Sequence, residues 1–193
     1  INMHAQSYLG MPLYNGDGKV IGILAILDDK PMTVEPETMD LIHSLAARAG
    51  IEIERKITQS QLNKLSLAVE HSPSAVMITN TDGIIEYINP KLSEMTGYSE
   101  KETIGKKPDL FKSGETDPAI YKELWNNLLS GKEWHGELQN TKKDGDLYWV
   151  REFISPIFDQ EGEITHFVAM KEDITESKRI NEEITHQASH DLL

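Results

Sequence analysis

The chain has 193 residues, with Lys+Arg 19 against Asp+Glu 32, a formal net charge of −13 and 38% hydrophobic residues. At about 150 residues per domain that is one large domain or two small ones, each able to bury an ordinary core. The acidic balance argues against a nucleic-acid surface and an anionic membrane surface, which both need Lys and Arg, and the absence of cysteine excludes disulfides, thiolate metal sites and a thiol nucleophile. The longest apolar run, residues 20–27, is far short of the roughly 20 residues of a membrane-spanning helix. Residue 1 is Ile and begins no signal peptide. The chain therefore reads as a fragment of a longer, soluble, cytoplasmic protein.

Residues 7–14 and 19–27 are strand-like, and Asn15-Gly16-Asp17-Gly18 between them is a hairpin signal. The second run is almost continuously apolar, which predicts a strand buried on both faces. Residues 36–71 read as one helix with acids in its first turn. Its apolar stripe passes through Leu41, Leu45 and Ala46, then Ile53 and Ile57, then Leu62, Leu65 and Val69. Unbroken, it is roughly 50 Å long; a break near Gly50 is the alternative. Residues 52–64 are too polar to lie inside one globule, as expected of a connector or coiled-coil strand.

After Ser72-Pro73-Ser74, short strands at 75–80 and 84–89 flank a Thr81-Asp82-Gly83 turn. Short helices at 89–97 and 99–105 follow. Asp117-Pro118 opens a longer helix, Asp as N-cap and Pro at its first position, with Ile120, Leu124 and Leu128 as its apolar face and Gly131 as its stop. Strands at 134–141, 147–158 and 164–174 turn at Lys143-Asp144-Gly145 and Gln160-Glu161-Gly162, and a helix begins by Glu176. This order predicts an α+β fold, an antiparallel sheet with helices on one face.

Several ordered words carry a family resemblance. They are Asp82-Gly83, Tyr87-Ile88-Asn89-Pro90, Glu94-Met95-Thr96-Gly97-Tyr98-Ser99, Ile104-Gly105-Lys106, Leu124-Trp125, Trp134-His135-Gly136-Glu137, Lys142-Lys143-Asp144-Gly145 and Glu172-Asp173-Ile174-Thr175-Glu176. Together they resemble a PAS domain with its C-terminal PAC extension. The resemblance implies a five-stranded antiparallel sheet with helices on one face, flanked by signalling helices. Ser7-Tyr8-Leu9-Gly10-Met11-Pro12-Leu13 and Gly18-Lys19-Val20-Ile21-Gly22-Ile23-Leu24 resemble the last hairpin of a GAF domain, followed by its closing helix. The implied division is 1–54 GAF-like remnant, 55–72 linker helix, 73–176 PAS domain and 177–193 C-terminal signalling helix.

No nucleophile and base stand at a recognisable spacing, so no catalytic residue is expected in this fragment. His186 and His190 are four apart, but no Glu completes a metal-binding word, and no metal site is expected. Haem-binding PAS domains carry their axial His on the long helix; residues 117–130 hold none. Light-sensing relatives carry a flavin-attacking Cys where this chain has Pro108. Redox-sensing flavin relatives are closer, and that likeness implies Trp125, Trp134 and Asn140 as flavin-pocket residues, although Thr141 stands where an Arg is usual. A flavin or another small molecule in the PAS core is therefore an open expectation.

Asp173, Ile174 and Thr175 join the last strand to the exit helix and are the expected signal relay, with Asp173 as anchor and Thr175 as cap. The short stripes Leu62, Leu65, Val69 and Ser177, Ile180, Ile184, together with a PAS dimer face, suit a homodimer. Ile184-Thr185-His186-Gln187-Ala188-Ser189-His190-Asp191-Leu192-Leu193 resembles the lead-in to a GGDEF diguanylate cyclase. The alternative is the phosphoacceptor box of a histidine kinase, with His190 reactive.

Overall fold

A computed structural model describes residues 5–190, with side chains described through residue 185. The His186 and His190 side chains and the last three residues of the lead-in motif lie outside the described set. The chain forms two compact units, Ile1–Ser66 and Leu67–Leu193, and the division falls within one helix.

In the first unit, β1 (Ser7–Tyr14) and β2 (Val20–Asp28) form an antiparallel hairpin. Asn15 closes the turn: its side-chain oxygen accepts from the Lys19 N–H at 2.8 Å. Met11 and Leu13 pack with Ile42 and Ala46 of α1 (Pro36–Glu70). Two expectations need correction. β2 is not buried on both faces: Val20, Ile23 and Leu27 are exposed, because the two-stranded sheet has a helix on one face only among the described residues. The buried stripe of α1 is Ile42, Ala46 and Gly50, while Leu41 and Leu45 are exposed. Residues 42, 46 and 50 recur at four-residue spacing and point the same way on a 3.6-residue helix.

The helix does not break at Gly50. A Cβ there would collide with the Tyr14 carbonyl, so glycine serves close backbone approach. Gly50→Ala should therefore destabilise this unit by about 1–3 kcal/mol through overpacking, although Ala is the better helix former by about 1 kcal/mol. A higher midpoint for the unit in chemical denaturation would contradict this.

The second unit is an α+β fold. Strands β3 (Ala75–Asn80), β4 (Ile85–Ile88), β5 (Trp134–Thr141), β6 (Leu147–Phe158) and β7 (Ile164–Asp173) form one antiparallel sheet in the order β4-β3-β7-β6-β5. Helices α2 (Pro90–Thr96), α3 (Glu100–Thr103) and α4 (Pro118–Leu129), with a 3-10 turn at Pro108–Phe111, lie between β4 and β5. Their Leu92, Met95, Phe111, Leu124 and Leu128 close the core over Met77, Leu138, Tyr148, Val150 and Phe167 of the sheet. Asp117 caps α4 through the Ala119 N–H at 2.8 Å, and Pro118 fills the first helical position. The exit helix is α5 (Thr175–His190).

Asn89 is fully buried, and its side chain makes four hydrogen bonds. Its amide oxygen accepts from the N–H groups of Val76 at 2.8 Å and Leu92 at 3.2 Å. Its amide nitrogen donates to the carbonyls of Val69 and Ser74, both at 3.0 Å. One side chain thus ties the end of α1, the start of β3 and the first turn of α2 together.

Ser99 and Glu102 form a capping box on α3, and Lys143 Nζ reaches the same carboxylate at 2.5 Å. The Lys143 ammonium, then Ser99, hold the Glu102 carboxyl at about 2, against an ordinary 4.5. The folded-state value is lowered, so its stabilising contribution is complete above about 4.5 and is lost as pH falls toward 2. A carboxyl-carbon NMR titration should place the Glu102 midpoint below those of the exposed glutamates; a midpoint near 4.5 would contradict the assignment.

No described helix is long and apolar enough to cross a membrane.

Candidate functional site

The core of the second unit contains a cavity of about 270 Å³ between the sheet and α4. Its walls are apolar: Met77, Leu124, Leu128, Leu138, Ile154 and Phe167. Each comes from regular phase. Leu124 and Leu128 are four apart on α4, and the strand residues fall on alternate positions facing inward.

Four nearly inaccessible polar side chains interrupt the lining. Thr79, Asn140, Glu152 and Lys171 are between 3% and 5% exposed. Lys171 and Glu152, on neighbouring strands β7 and β6, are paired in register and form a buried ion pair. The Asn140 amide stands 3.5 Å from the same Glu152 oxygen. Lys171 also lies 5.6 Å from the Phe111 ring centroid. Two tyrosine hydroxyls, of Tyr121 and Tyr148, are buried without a hydrogen-bond partner; Tyr121 lines the cavity. Burial pushes the Tyr148 phenol far up from its ordinary value.

Of the three residues expected to form a flavin pocket, the cavity brings together two. Asn140 lines its polar end. Trp125 lines it from α4, about one-third exposed, its ring edge-on to Phe167 at 5.9 Å. Trp125 also covers Gly83, where a Cβ would stand 3.3 Å from the indole. Trp134 is not among the lining residues. It is buried in the core at 4% exposure, folded over Gly136. Pro108 also lines the cavity.

Lys171 and Glu152 escaped the sequence reading. The signal was available in phase: Lys171 continues the inward series Phe167, Ala169, and Glu152 lies between Val150 and Ile154. Charge suggested solvent, but two opposite charges in register neutralise one another.

The expected relay residues form a hydrogen-bonded corner. The Thr175 hydroxyl donates to Asp173 Oδ1 at 2.6 Å, and the Thr175 N–H donates to the same oxygen at 3.0 Å. In turn the Thr175 hydroxyl accepts from the Trp149 N–H at 2.9 Å. Ile174 is buried, and its N–H reaches the Trp149 carbonyl at 2.9 Å. Lys142 lies 3.7 Å from Asp173. Lys178, in the first turns of α5, stands 4.3 Å over the Trp149 ring and 2.8 Å from Glu137. The sheet therefore grips the beginning of α5 through backbone, hydroxyl and charge.

Of the strand histidines, His135 is exposed and His166 faces Glu86 at 3.2 Å. No group of three metal-ligating side chains occurs among the described residues.

Comparison with known proteins places this geometry. The family model for the PAS domain matches residues 73–176, and that for the GAF domain matches residues 1–53. A nitrogen fixation regulatory protein of Klebsiella oxytoca is 34% identical over 128 residues, covering 66% of this chain and 26% of the relative. A blue-light-activated histidine kinase of Brucella anthropi is 32% identical over 118 residues, 60% of this chain and 24% of the kinase. The chain thus spans about a quarter of the length of these relatives. Among solved structures, an RNA-binding light-oxygen-voltage receptor superposes with a TM-score of 0.62 at 21% identity, covering 69% of this chain and 38% of the receptor. The LOV domain of a blue-light-activated histidine kinase from Erythrobacter litoralis gives 0.52 at 24% identity, covering 54% of this chain and 99% of that domain. At these identities the structural likeness speaks to fold.

Proposed function

Since the chain belongs to the PAS domain family, whose model covers residues 73–176, we propose that it is the sensory and dimerisation part of a multidomain signal-transduction protein. In this reading the core cavity takes a small ligand, and occupancy alters the grip of the sheet on α5. The helix carries that change to a downstream diguanylate cyclase in the same cytoplasmic chain. Residues 1–54 are the C-terminal part of a GAF-like domain, 55–72 a linker helix, 73–176 the PAS domain and 177–193 the signalling helix. Two copies associate through the linker stripes and the PAS surface. The fragment itself carries no catalytic residues in this reading.

The observation that carries the reading is the continuity of β7. Lys171 lines the cavity, and two residues later Asp173 begins the hydrogen-bonded corner with Thr175 and Trp149. A displacement at Lys171 has only one residue through which to dissipate before it reaches the helix joint. Signalling roles of the relatives, a nitrogen fixation regulator and light-activated kinases, support the same direction.

Asp173→Ala tests it in the full-length parent protein. Asp173 is partly exposed, so its truncation opens no cavity and should cost no more than about 1 kcal/mol. The expected result is altered cyclic di-GMP output with a nearly unchanged melting curve. Unchanged output with a large loss of stability would contradict the relay role.

A second reading, a flavin-binding redox sensor, is favoured by Asn140 and Trp125 sharing the cavity. A flavin pocket needs an aromatic wall and an amide at the heterocycle edge. Purified protein reconstituted with flavin should show the flavin absorbance bands after desalting; their absence would end this reading. The third, the input region of a histidine kinase, makes His190 the phosphorylated residue, and phosphoamino-acid analysis of the parent protein distinguishes it from the cyclase.

A further inference from the structure

We propose that Lys171 sets the chemical class of the ligand: a neutral molecule with an apolar body that ends, at its inner edge, in a carbonyl-type hydrogen-bond acceptor. The inference rests on the reading of the core cavity as a ligand site and specifies what that site accepts.

The ammonium of Lys171 has three N–H donors and no acceptor. It is 4% exposed and lines the cavity. Its one protein acceptor among the described residues is the Glu152 carboxylate. Its other close neighbour is the face of Phe111, at 5.6 Å. The group thus retains donor capacity in a place that water scarcely reaches, where an unmade hydrogen bond is costly. The Tyr121 hydroxyl, also lining the cavity, is buried without a partner.

Charge decides between neutral and anionic acceptors. Glu152, 3% exposed, already neutralises Lys171. A ligand carboxylate at the same end would set two carboxylates against the single Lys171 ammonium, and burying the excess charge is expensive; of the other lysines that line the cavity, Lys112 is already paired with Asp109. A ketone, amide or imide oxygen takes the spare N–H without adding charge. Leu124, Leu128, Ile154 and Phe167 then enclose the rest of the molecule. A cavity of about 270 Å³ lies just below the range of about 300–1,000 Å³ for small-molecule sites, which suits a compact ligand.

Three probes of matched size test this on the whole chain by isothermal titration calorimetry: 1-acetonaphthone, 1-ethylnaphthalene and 1-naphthoate. The ketone should bind about tenfold or more tightly than either of the others, the usual worth of a hydrogen bond to a charged donor. The double variant Lys171→Met with Glu152→Leu removes both charges together; it should erase the ketone's advantage over the hydrocarbon. The ranking on the unaltered chain decides the question even where the variant does not fold. Equal affinities for ketone and hydrocarbon overturn the role of Lys171 but leave an apolar ligand site. Tightest binding by naphthoate overturns the neutral-ligand assignment. Failure of all three probes to bind overturns the ligand-site reading itself, and this proposal with it.

Discussion

Lys171→Met is expected to destabilise the second unit by about 3–5 kcal/mol, because it leaves the Glu152 carboxylate buried and unpaired. Both partners are almost fully inaccessible, so solvent cannot take over the hydration of the remaining charge. The Asn140 amide, 3.5 Å from that carboxylate, is one weak hydrogen-bond donor and does not replace an ammonium. Lys171→Met with Glu152→Leu should recover most of the loss, since a neutral, packed replacement for a buried pair is often no less stable than the pair. The measurement is chemical denaturation of the two single variants and the double variant. Additive losses would show that the two groups do not interact, and would remove the charge argument on which ligand selection at the cavity rests.

That pair also marks the limit of what the sequence made legible. The bounds of β5 and β6, the capped start of α4 and the hairpin at Asn15 all followed from local chemistry: alternation, an Asp-Pro cap and turn residues with positive φ or side-chain acceptors. Errors arose where a side chain's surroundings come from distant segments. Leu41, Leu45 and Ala46 read as one buried stripe of α1; Ala46 is buried against the hairpin, but its companions on that face are Ile42 and Gly50, not the two leucines. Nothing local distinguishes these stripes; the approach of the Tyr14 carbonyl to Gly50 does. In the same way, an apolar run at residues 20–27 cannot reveal how many layers will cover it.

At the site, Asn140 and Trp125 were reached through a resemblance, and each lines the cavity. Trp134 belonged to the same set of words, but alternation along β5 leaves it on the inward face, folded over Gly136 and away from the cavity lining. Lys171 and Glu152 required the register between β6 and β7, which is a tertiary fact. Only their inward phase was visible in the sequence, and a charge on an inward phase gains meaning when the opposite charge is found across from it.

Asn89→Ala is expected to have an effect of similar size for a different reason: unmade hydrogen bonds. The side chain is fully buried and satisfies the N–H groups of Val76 and Leu92 and the carbonyls of Val69 and Ser74. Leu92 N–H has a second acceptor in the Asn89 carbonyl at 3.1 Å, so its loss is partial. Val69 carbonyl also accepts from the Ser72 N–H at 3.2 Å. The Val76 N–H and the Ser74 carbonyl bear most of the cost, at about 1–3 kcal/mol for each buried group left without a partner. A total of about 3–5 kcal/mol follows once the lost cap of α2 is included. Asn89→Asp is the sharper test. It keeps the two acceptor contacts to Val76 and Leu92 but turns the donor to Val69 and Ser74 into a second acceptor, a carboxylate oxygen facing two carbonyls. The expected order of stability is Asn, then Ala, with Asp no better than Ala at neutral pH. Hydrogen exchange should show faster opening at Val76 and in the last turn of α1 in both variants. An Asp variant as stable as the original chain would mean that the donor half of this hub contributes little and that the end of α1 is held to the sheet by other contacts.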